Sequence, residues 1–346
     1  MAQAGKKRTI GFYLAPRFSM IAFTTAVEPL RIANRLAGEE IYTWYTVSAD
    51  GEAALASNGL HIEAHRSLEM EQRAATSGDA PDLFIVCAGM EVTDAGNRQL
   101  RTLLRTFDKR SIGIGGLCTG AWLIADAGLL DGRRCAIHWE NLPSFQERFP
   151  EADVYADLFE VDGHFCTCAG GTAALDMMLH LIAQDHDDSL ITRICEMALT
   201  DRVRNPHDRQ RLPLRARLGI HNSKLLLIIE MMEANLAEPV SMDWIAKRVG
   251  LSRRQIERLF IQNLSRSPAR YYLELRLDRA RHLLIQTSMP IIEVAVACGF
   301  ISASHFSRCY RELYGKSPQA ERKIQPRLDE VLSDSAPSNG SQSAVA

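Results

Sequence analysis

Two kinds of hydrophobic pattern divide the chain. Along residues 9 to 182, short unbroken apolar runs alternate with stretches in which apolar residues recur every three or four positions. TIGFYL (Thr9–Leu14), LFIVCAG (Leu83–Gly89) and SIGIGGLC (Ser111–Cys118) lack polar alternation, which predicts strands buried on both faces of a parallel sheet. Ser19–Ala37, Arg98–Phe107 and Thr119–Ala127 predict helices between them. Such alternation predicts a doubly wound α/β domain, whose ligands gather at the carboxyl ends of the strands. Cys118 falls at one of those ends, in GIGGLCTGAW, where a helix begins and its amide dipoles favour a thiolate.

In the C-terminal half the apolar spacing is helical instead, and the pattern repeats after 50 residues. GLSRRQIERLFIQNLSRSP (Gly250–Pro268) aligns with GFISASHFSRCYRELYGKSP (Gly299–Pro318) once the second copy is allowed one extra residue after its Gly-aromatic pair. Ile256 then matches Phe306, Arg258 matches Arg308, Phe260 matches Tyr310, and Ser267-Pro268 matches Ser317-Pro318. Ala246 to Gly250 and Ala295 to Gly299 share a spacing in which the small residue allows close helix approach and the glycine ends a helix in the left-handed conformation. Each copy reads as helix, tight turn, helix, with Ser252 and Ser302 placed as caps of the second helix. Ile256, Leu259 and Phe260 form one inward stripe; Phe306, Tyr310 and Leu313 form the other.

The outward residues are Arg253, Arg254, Gln255 and Arg258 on the first second helix, and Ala303, Ser304, His305, Ser307 and Arg308, next to Ser302, on its counterpart. Arg and Gln near a helix start are suited to base edges and phosphates in a major groove; a merely solvated basic face is the plainer alternative for a single copy. Between the copies, ARYYLELRLDRARHLLIQTS (Ala269–Ser288) contains no Gly or Pro and carries Leu273, Leu277, Ala280 and Leu284 at helical spacing. A long helix here would hold the two reading helices at a fixed separation, suited to successive major grooves about 34 Å apart. The expected architecture is an α/β doubly wound N-terminal domain plus an all-α C-terminal domain with two helix-turn-helix motifs joined by a long helix.

Charge sharpens this division. The net charge of −2 is the sum of −10 over residues 1–200 and +8 over residues 201–346, and Ile245–Gln325 alone carries +9. A basic domain beside an acidic one points to nucleic acid as partner of the former. The 346 residues suit two domains, and no apolar run reaches the roughly 18 residues of a membrane helix. The N-terminus has no secretory signal, so a cytoplasmic protein is expected. The eight cysteines read as reduced core thiols, and no second Cys or His cluster joins Cys166 and Cys168 to complete a zinc set. Neither metal nor cofactor is expected. The expected boundaries are 1–199 for a sensing and dimerisation domain, 200–222 for an Arg- and Pro-containing linker, 223–325 for the DNA-binding domain and 326–346 for a disordered tail.

From about Leu226 to Lys323 the sequence resembles the AraC/XylS-type DNA-binding domain, in A-x-x-x-G-L-S, in RLDRARHLL and in the closing GF-x-S-x-S-H-F-S-R-C-Y-R-E-L-Y-G-K-S-P. One departure is Ser265, where that pattern carries glycine. The resemblance implies a promoter-binding transcription regulator, an activator that recruits RNA polymerase.

From about Lys7 to Ala183 the chain resembles the class I glutamine amidotransferase-like, PfpI-type superfamily, in AVEPLR with Glu28, in GGLCTGAWLIADAGLLDGRR, and in HWENLPSF followed by CAGGTAALDMMLHLI. In catalytic relatives a carboxylate like Glu28 approaches the elbow cysteine and a histidine often follows it, whereas Thr119 stands here. His138 and Glu140 imitate the amidotransferase His-x-Glu pair, but only 20 residues after the cysteine. His164 has no following carboxylate. Ala169–Thr172 reads as a close-packed turn, lacking the G-K-[ST] of a phosphate loop. The expectation is a regulator and not an enzyme, with a ligand pocket walled by Glu28, Cys118, Thr119, Trp122, His138, Trp139 and Glu140; plain packing is the bland reading of each. Two tryptophans near two carboxylates suit a small cation. IHWENLPSF and CAGGTAALDMMLHLI resemble regulators of glycine betaine, carnitine and arginine catabolism, which implies a small nitrogenous effector such as a betaine or basic amino acid. A homodimer is expected. The rival readings are an active cysteine hydrolase fused to a DNA-binding module and a DNA-binding protein whose N-terminal domain only dimerises.

Overall fold

A computed structural model describes residues 7–89, 98–211, 214–287 and 289–322. The expected tail, 326–346, lies outside the described residues. The chain forms two compact units, Met1–Pro213 and Leu214–Ala346.

In the first unit β1 (Arg8–Leu14), α1 (Met20–Ala37) and β2 (Tyr42–Ser48) are followed by the short strands β3 (Ala54–Leu55), β4 (His61–Ile62) and β5 (Arg66–Ser67). Then come α2 (Leu68–Ser77), β6 (Leu83–Cys87), α3 (Arg98–Lys109), β7 (Gly113–Leu117), α4 (Gly120–Asp126), β8 (Arg134–Ala136), α5 (Leu142–Arg148) and β9 (Asp153–Tyr155). The antiparallel pair β10 (Phe159–Asp162) and β11 (Phe165–Cys168) precedes α6 (Ala173–Ala183) and α7 (Asp188–Ala198). The main sheet runs β10-β11-β7-β6-β1-β2-β5, parallel except for β10. From β1 the chain winds outward to β2 and β5, then returns to β6 on the other side. The carboxyl ends of β1 and β6 therefore flank the switch point where such sheets open a crevice.

Alternation across the strands explains the unbroken apolar runs. Ile10, Phe12, Leu14, Ile85 and Cys87 face a core with α1, α6 and α7, while Tyr13, Phe84 and Val86 face one with α3 and α4. With both faces covered, neither parity can be polar. All eight cysteines are buried and unbridged, and Cys166 and Cys168 are core residues of β11.

The second unit contains α8 (Leu214–Leu218), α9 (Ser223–Glu233), α10 (Met242–Val249), α11 (Arg253–Leu264), α12 (Pro268–Gln286), α13 (Ile291–Ala297), α14 (Ala303–Tyr314) and α15 (Pro318–Arg322). It has two small cores. Ile228, Ile229, Ile245, Ile256 and Phe260 build the first, and Val294, Cys298, Phe300, Phe306 and Tyr310 the second. The long helix α12 serves both, giving Tyr271 and Tyr272 to the first and Leu277, Ala280, Leu283 and Leu284 to the second. Its 19 residues extend about 28 Å at 1.5 Å per residue.

Gly250 and Gly299 take the left-handed conformation that ends α10 and the turn after α13, at φ 66° and 73°. Ser265 does the same at the end of α11 with φ 54°, a conformation that favours glycine. The side chain of Ser252 accepts from the Gln255 amide and the Gln255 side chain returns to the Ser252 amide, completing a capping box. Ser302 accepts from the His305 amide at the start of α14.

Candidate functional site

The reading faces follow from these caps. With Ile256 and Phe260 buried, α11 turns Arg254, Glu257 and Arg258 to solvent, and with Phe306 and Tyr310 buried, α14 exposes Ser304, His305 and Arg308. Arg253 is exposed too and lies 3.5 Å from Asp243. Gln255 and Ser302 are exposed, but part of their hydrogen-bonding capacity is spent on capping. Ala303 and Ser307 are half-buried. His305 is steadied by the Phe300 ring at 5.9 Å and by Cys309 Sγ, 3.3 Å from its Nε2. A groove along α11 also includes Ile261 and Gln262, and one along α14 includes Arg311 and Glu312. Sequence reading passed over Gln262 and Arg311. Their positions one turn after Arg258 and Arg308 were the available signal.

Arg276 was also missed. From the middle of α12 its Nε donates to the carbonyl of Cys298 at 2.8 Å and its Nη2 to that of Gly299 at 2.7 Å, while the guanidinium lies 4.1 Å from the Phe300 ring centre. It thus satisfies carbonyls at the end of α13 that helix geometry leaves unpaired. Burial pulls its pKa down from the usual guanidinium value.

In the α/β unit, Cys118 stands at the end of β7 with φ 59°, the left-handed region at a sharp strand-to-helix elbow. Small residues permit the bend: a Cβ on Gly120 would lie 2.1 Å from the Val86 carbonyl oxygen. The expected thiolate is not what this elbow favours. Burial pushes the Cys118 thiol up to about 11; the Thr119 amide opposes this, and the charge of Glu140 reinforces it. Desolvation outweighs the amide dipole because the side chain is almost wholly out of water.

Three of the expected pocket walls are engaged with other partners. Glu28 is exposed and its carboxylate is held by Arg31, one turn further along α1. From α1, Thr25 donates to the Gly171 carbonyl at 2.7 Å, next to the glycine that packs on Cys118. Trp122 is buried edge-on against Phe145 and Phe149, at 5.9 and 5.3 Å. Thr119 is fully buried and its hydroxyl donates to the Gly89 carbonyl.

His138, Trp139 and Glu140 remain half-exposed beside the cysteine. The His138 amide donates to the Cys118 carbonyl at 3.3 Å, and the Glu140 amide donates to His138 Nδ1 at 3.4 Å. The Arg211 guanidinium lies over the Trp139 ring, 4.5 Å from its centre. An aromatic face, a carboxylate and a weakly acidic thiol can bind a cation; they do not form an activated nucleophile.

Arg211 belongs to a segment that the sequence presents as linker but that packs against the α/β unit. Arg204 donates through its amide and guanidinium to the buried carboxylate of Asp176, and through Nη2 to Thr172. The carbonyl of Pro206 accepts from the Leu158 amide at 2.9 Å. His207 lies 2.7 Å from Asp157, and Gln210 Nε2 donates to the carbonyls of Ile137 and Asp157. Asp157, Glu160 and His207 come close enough together to hold a metal ion. Both Glu160 oxygens, however, already accept from Arg134, so the trio fits an ion-pair network better than a metal site. His164 pairs with Asp108 at 3.0 Å. The Ala169–Thr172 turn holds Gly170 and Gly171 at positive φ, with Gly170 against Cys118.

Residues 8–184 match the DJ-1/PfpI family and residues 245–324 match a helix-turn-helix domain. The HTH-type transcriptional regulator GbdR of Pseudomonas aeruginosa is 47% identical over 92% of this chain and 85% of its own length. The chain belongs to the AraC-type regulators that carry a DJ-1/PfpI domain. The HTH-type transcriptional regulator CdhR of Pseudomonas aeruginosa is 43% identical over 91% of each chain. A crystal structure of an AraC family transcriptional regulator from Pseudomonas putida covers 55% of this chain and 99% of its own at 30% identity, with a TM-score of 0.50. As a member of this family the chain is a DNA-binding transcription regulator and not an enzyme, despite its PfpI-like domain. Among the described residues no helix is long and apolar enough to cross a membrane.

Proposed function

We propose that this regulator activates transcription by placing α11 and α14 in successive major grooves of a promoter in response to a small nitrogenous metabolite bound beside Cys118. The observation that carries the DNA reading is the pair of equivalent faces, Arg254 with Arg258 and His305 with Arg308, each opposite a buried apolar stripe of its own small core. Arg254 and His305 read bases; Arg253, Arg258 and Arg308 bear on phosphates, with Gln255, Ser304 and Ser307 alongside. The effector reading is supported by the half-exposed residues Trp139 and Glu140 beside the cysteine and by the resemblance to regulators of betaine, carnitine and arginine catabolism. By linkage, effector and DNA affect each other's affinity equally if they favour the same arrangement of the protein. Homodimerisation, and contact with RNA polymerase on resemblance, complete the reading.

Selection from a random duplex pool by the full chain tests the DNA part. Two half-motifs about 10 base pairs apart are expected. Arg254→Ala and His305→Ala should each cost about 1–3 kcal/mol at one half-motif and relax its preference. Equal losses on every duplex would overturn base reading. Calorimetry of the full chain against glycine betaine, carnitine and arginine tests the effector; heat from at least one is expected, and none would overturn it.

A further inference from the structure

We infer that Arg211 is an internal occupant of the effector subsite: its guanidinium holds the Trp139 face that a cationic effector must take, so that binding displaces it and loosens the segment before the second unit. This rests on the proposed effector site. It adds the chemical class, a cation able to replace a guanidinium on a ring face, and the route by which binding is communicated.

The segment from Arg204 to Arg211 is held unevenly. At its start Arg204 is tied to Asp176, a carboxylate almost wholly out of water, through three hydrogen bonds of 2.6 to 3.0 Å. Its middle is held by the Pro206 carbonyl, which accepts from the Leu158 amide at 2.9 Å, and by His207 at 2.7 Å from Asp157; its end is held by Gln210 and by Arg211. Gln210 donates twice at 2.8 Å, but its carbonyl oxygen is buried without a partner. Leaving that site costs less than a satisfied amide would, since one polar atom gains water on release. Arg211 contributes the contact over Trp139 at 4.5 Å. A ring face binds one cation at a time, so an ammonium or guanidinium effector that takes this face excludes Arg211 from it. The carbonyls that Gln210 holds include that of Ile137, two residues from Trp139.

The position in the chain makes this consequential. Arg211 lies three residues before Leu214, where the second unit begins. Freeing Gln210 and Arg211 while Arg204, Pro206 and His207 stay anchored lengthens the tether by up to about 3.4 Å for each residue released. A chemical event at Trp139 thereby changes how far the DNA-binding unit can reach.

The test titrates the full chain with glycine betaine and with tetramethylammonium chloride, and follows amide hydrogen exchange over 205–211. Arg211→Ala should bind at least one probe about fivefold more tightly than wild type, Arg211→Lys should stay near wild type, and Trp139→Ala should lose binding. Exchange over 205–211 should rise both with bound probe and in Arg211→Ala. Equal affinity in wild type and Arg211→Ala, with binding lost in Trp139→Ala, overturns the displacement and leaves the effector site standing. Affinity indifferent to Trp139→Ala overturns the effector site itself, and no binding by wild type or Arg211→Ala overturns both. Unchanged exchange over 205–211 in Arg211→Ala overturns the displacement independently of any ligand.

Discussion

Gly170 lies so close to Cys118 that a Cβ on the glycine would sit 2.6 Å from the cysteine Cβ. The glycine also has φ 83°, and Gly171 has φ 56° with nothing within 4 Å of its own would-be Cβ. The two neighbours therefore separate crowding from backbone strain. Gly171→Ala should cost about 1 kcal/mol, the backbone penalty alone. Gly170→Ala should cost about 1–3 kcal/mol more through overpacking against the elbow. Denaturant unfolding of the two variants checks the ordering, and equal losses would mean that the elbow yields.

Alkylation of the thiol reads its protonation. With Cys118 pushed up to about 11, the folded protein should react slowly with iodoacetamide at pH 7–8, and its rate at that residue should climb as pH approaches 11. Mass spectrometry of the modified peptide measures it. A plateau below pH 8 would show a thiolate that burial does not explain.

Arg276 closes the second helix-turn-helix onto the long helix, so its loss should be felt there first. Arg276→Ala leaves the Cys298 and Gly299 carbonyls without their charged donor and should destabilise the second unit by about 1.5–3 kcal/mol. Arg276→Lys restores charge but not the two-pronged geometry, and should recover only part. Weakened binding of the half-site served by α14, with the α11 half-site retained, is the expected footprint.

Glu321 makes the same unit acid-sensitive. Burial pushes its carboxyl up, but hydrogen bonds from Lys316 and Tyr310 and the charge of Arg281 outweigh that and hold it below the usual glutamate value. A depressed folded-state value means stability present above the unfolded value, about 4.3, and lost as pH falls through the folded one. Unfolding free energy should decline over that acid range, and Glu321→Gln should flatten the decline while lowering stability near neutrality.

Ser265 carries a left-handed backbone without glycine's freedom. Ser265→Gly should stabilise the second unit by ~1 kcal/mol, the strain relieved less the entropy added to the unfolded chain. Thermal unfolding gives the sign.

The cysteine elbow shows where reading in one dimension stops. Cys118 and the turn around it were legible because glycines at fixed offsets and an apolar run bracket them, and His138 to Glu140 were legible as a motif. Glu28 was not, since one helical turn separates a residue that faces the elbow from one that faces water, and here Thr25 has the inner place. Trp122 and Thr119 are near the cysteine in sequence and belong to the core in space. The stretch from Arg204 to Arg211 reads as linker because its anchors, Asp176, Asp157 and Trp139, lie 28 to 72 residues away.

By itself the amino-acid order determined the two-domain plan, the duplicated helical unit, its caps and its outward basic rows, because those follow from local periodicity, capping chemistry and repeat spacing. Tertiary structure alone decided the protonation of the thiol, the residues that line its surroundings and the docking of the connecting segment. These depend on desolvation and on partners brought from distant parts of the chain, and neither is encoded at any fixed spacing.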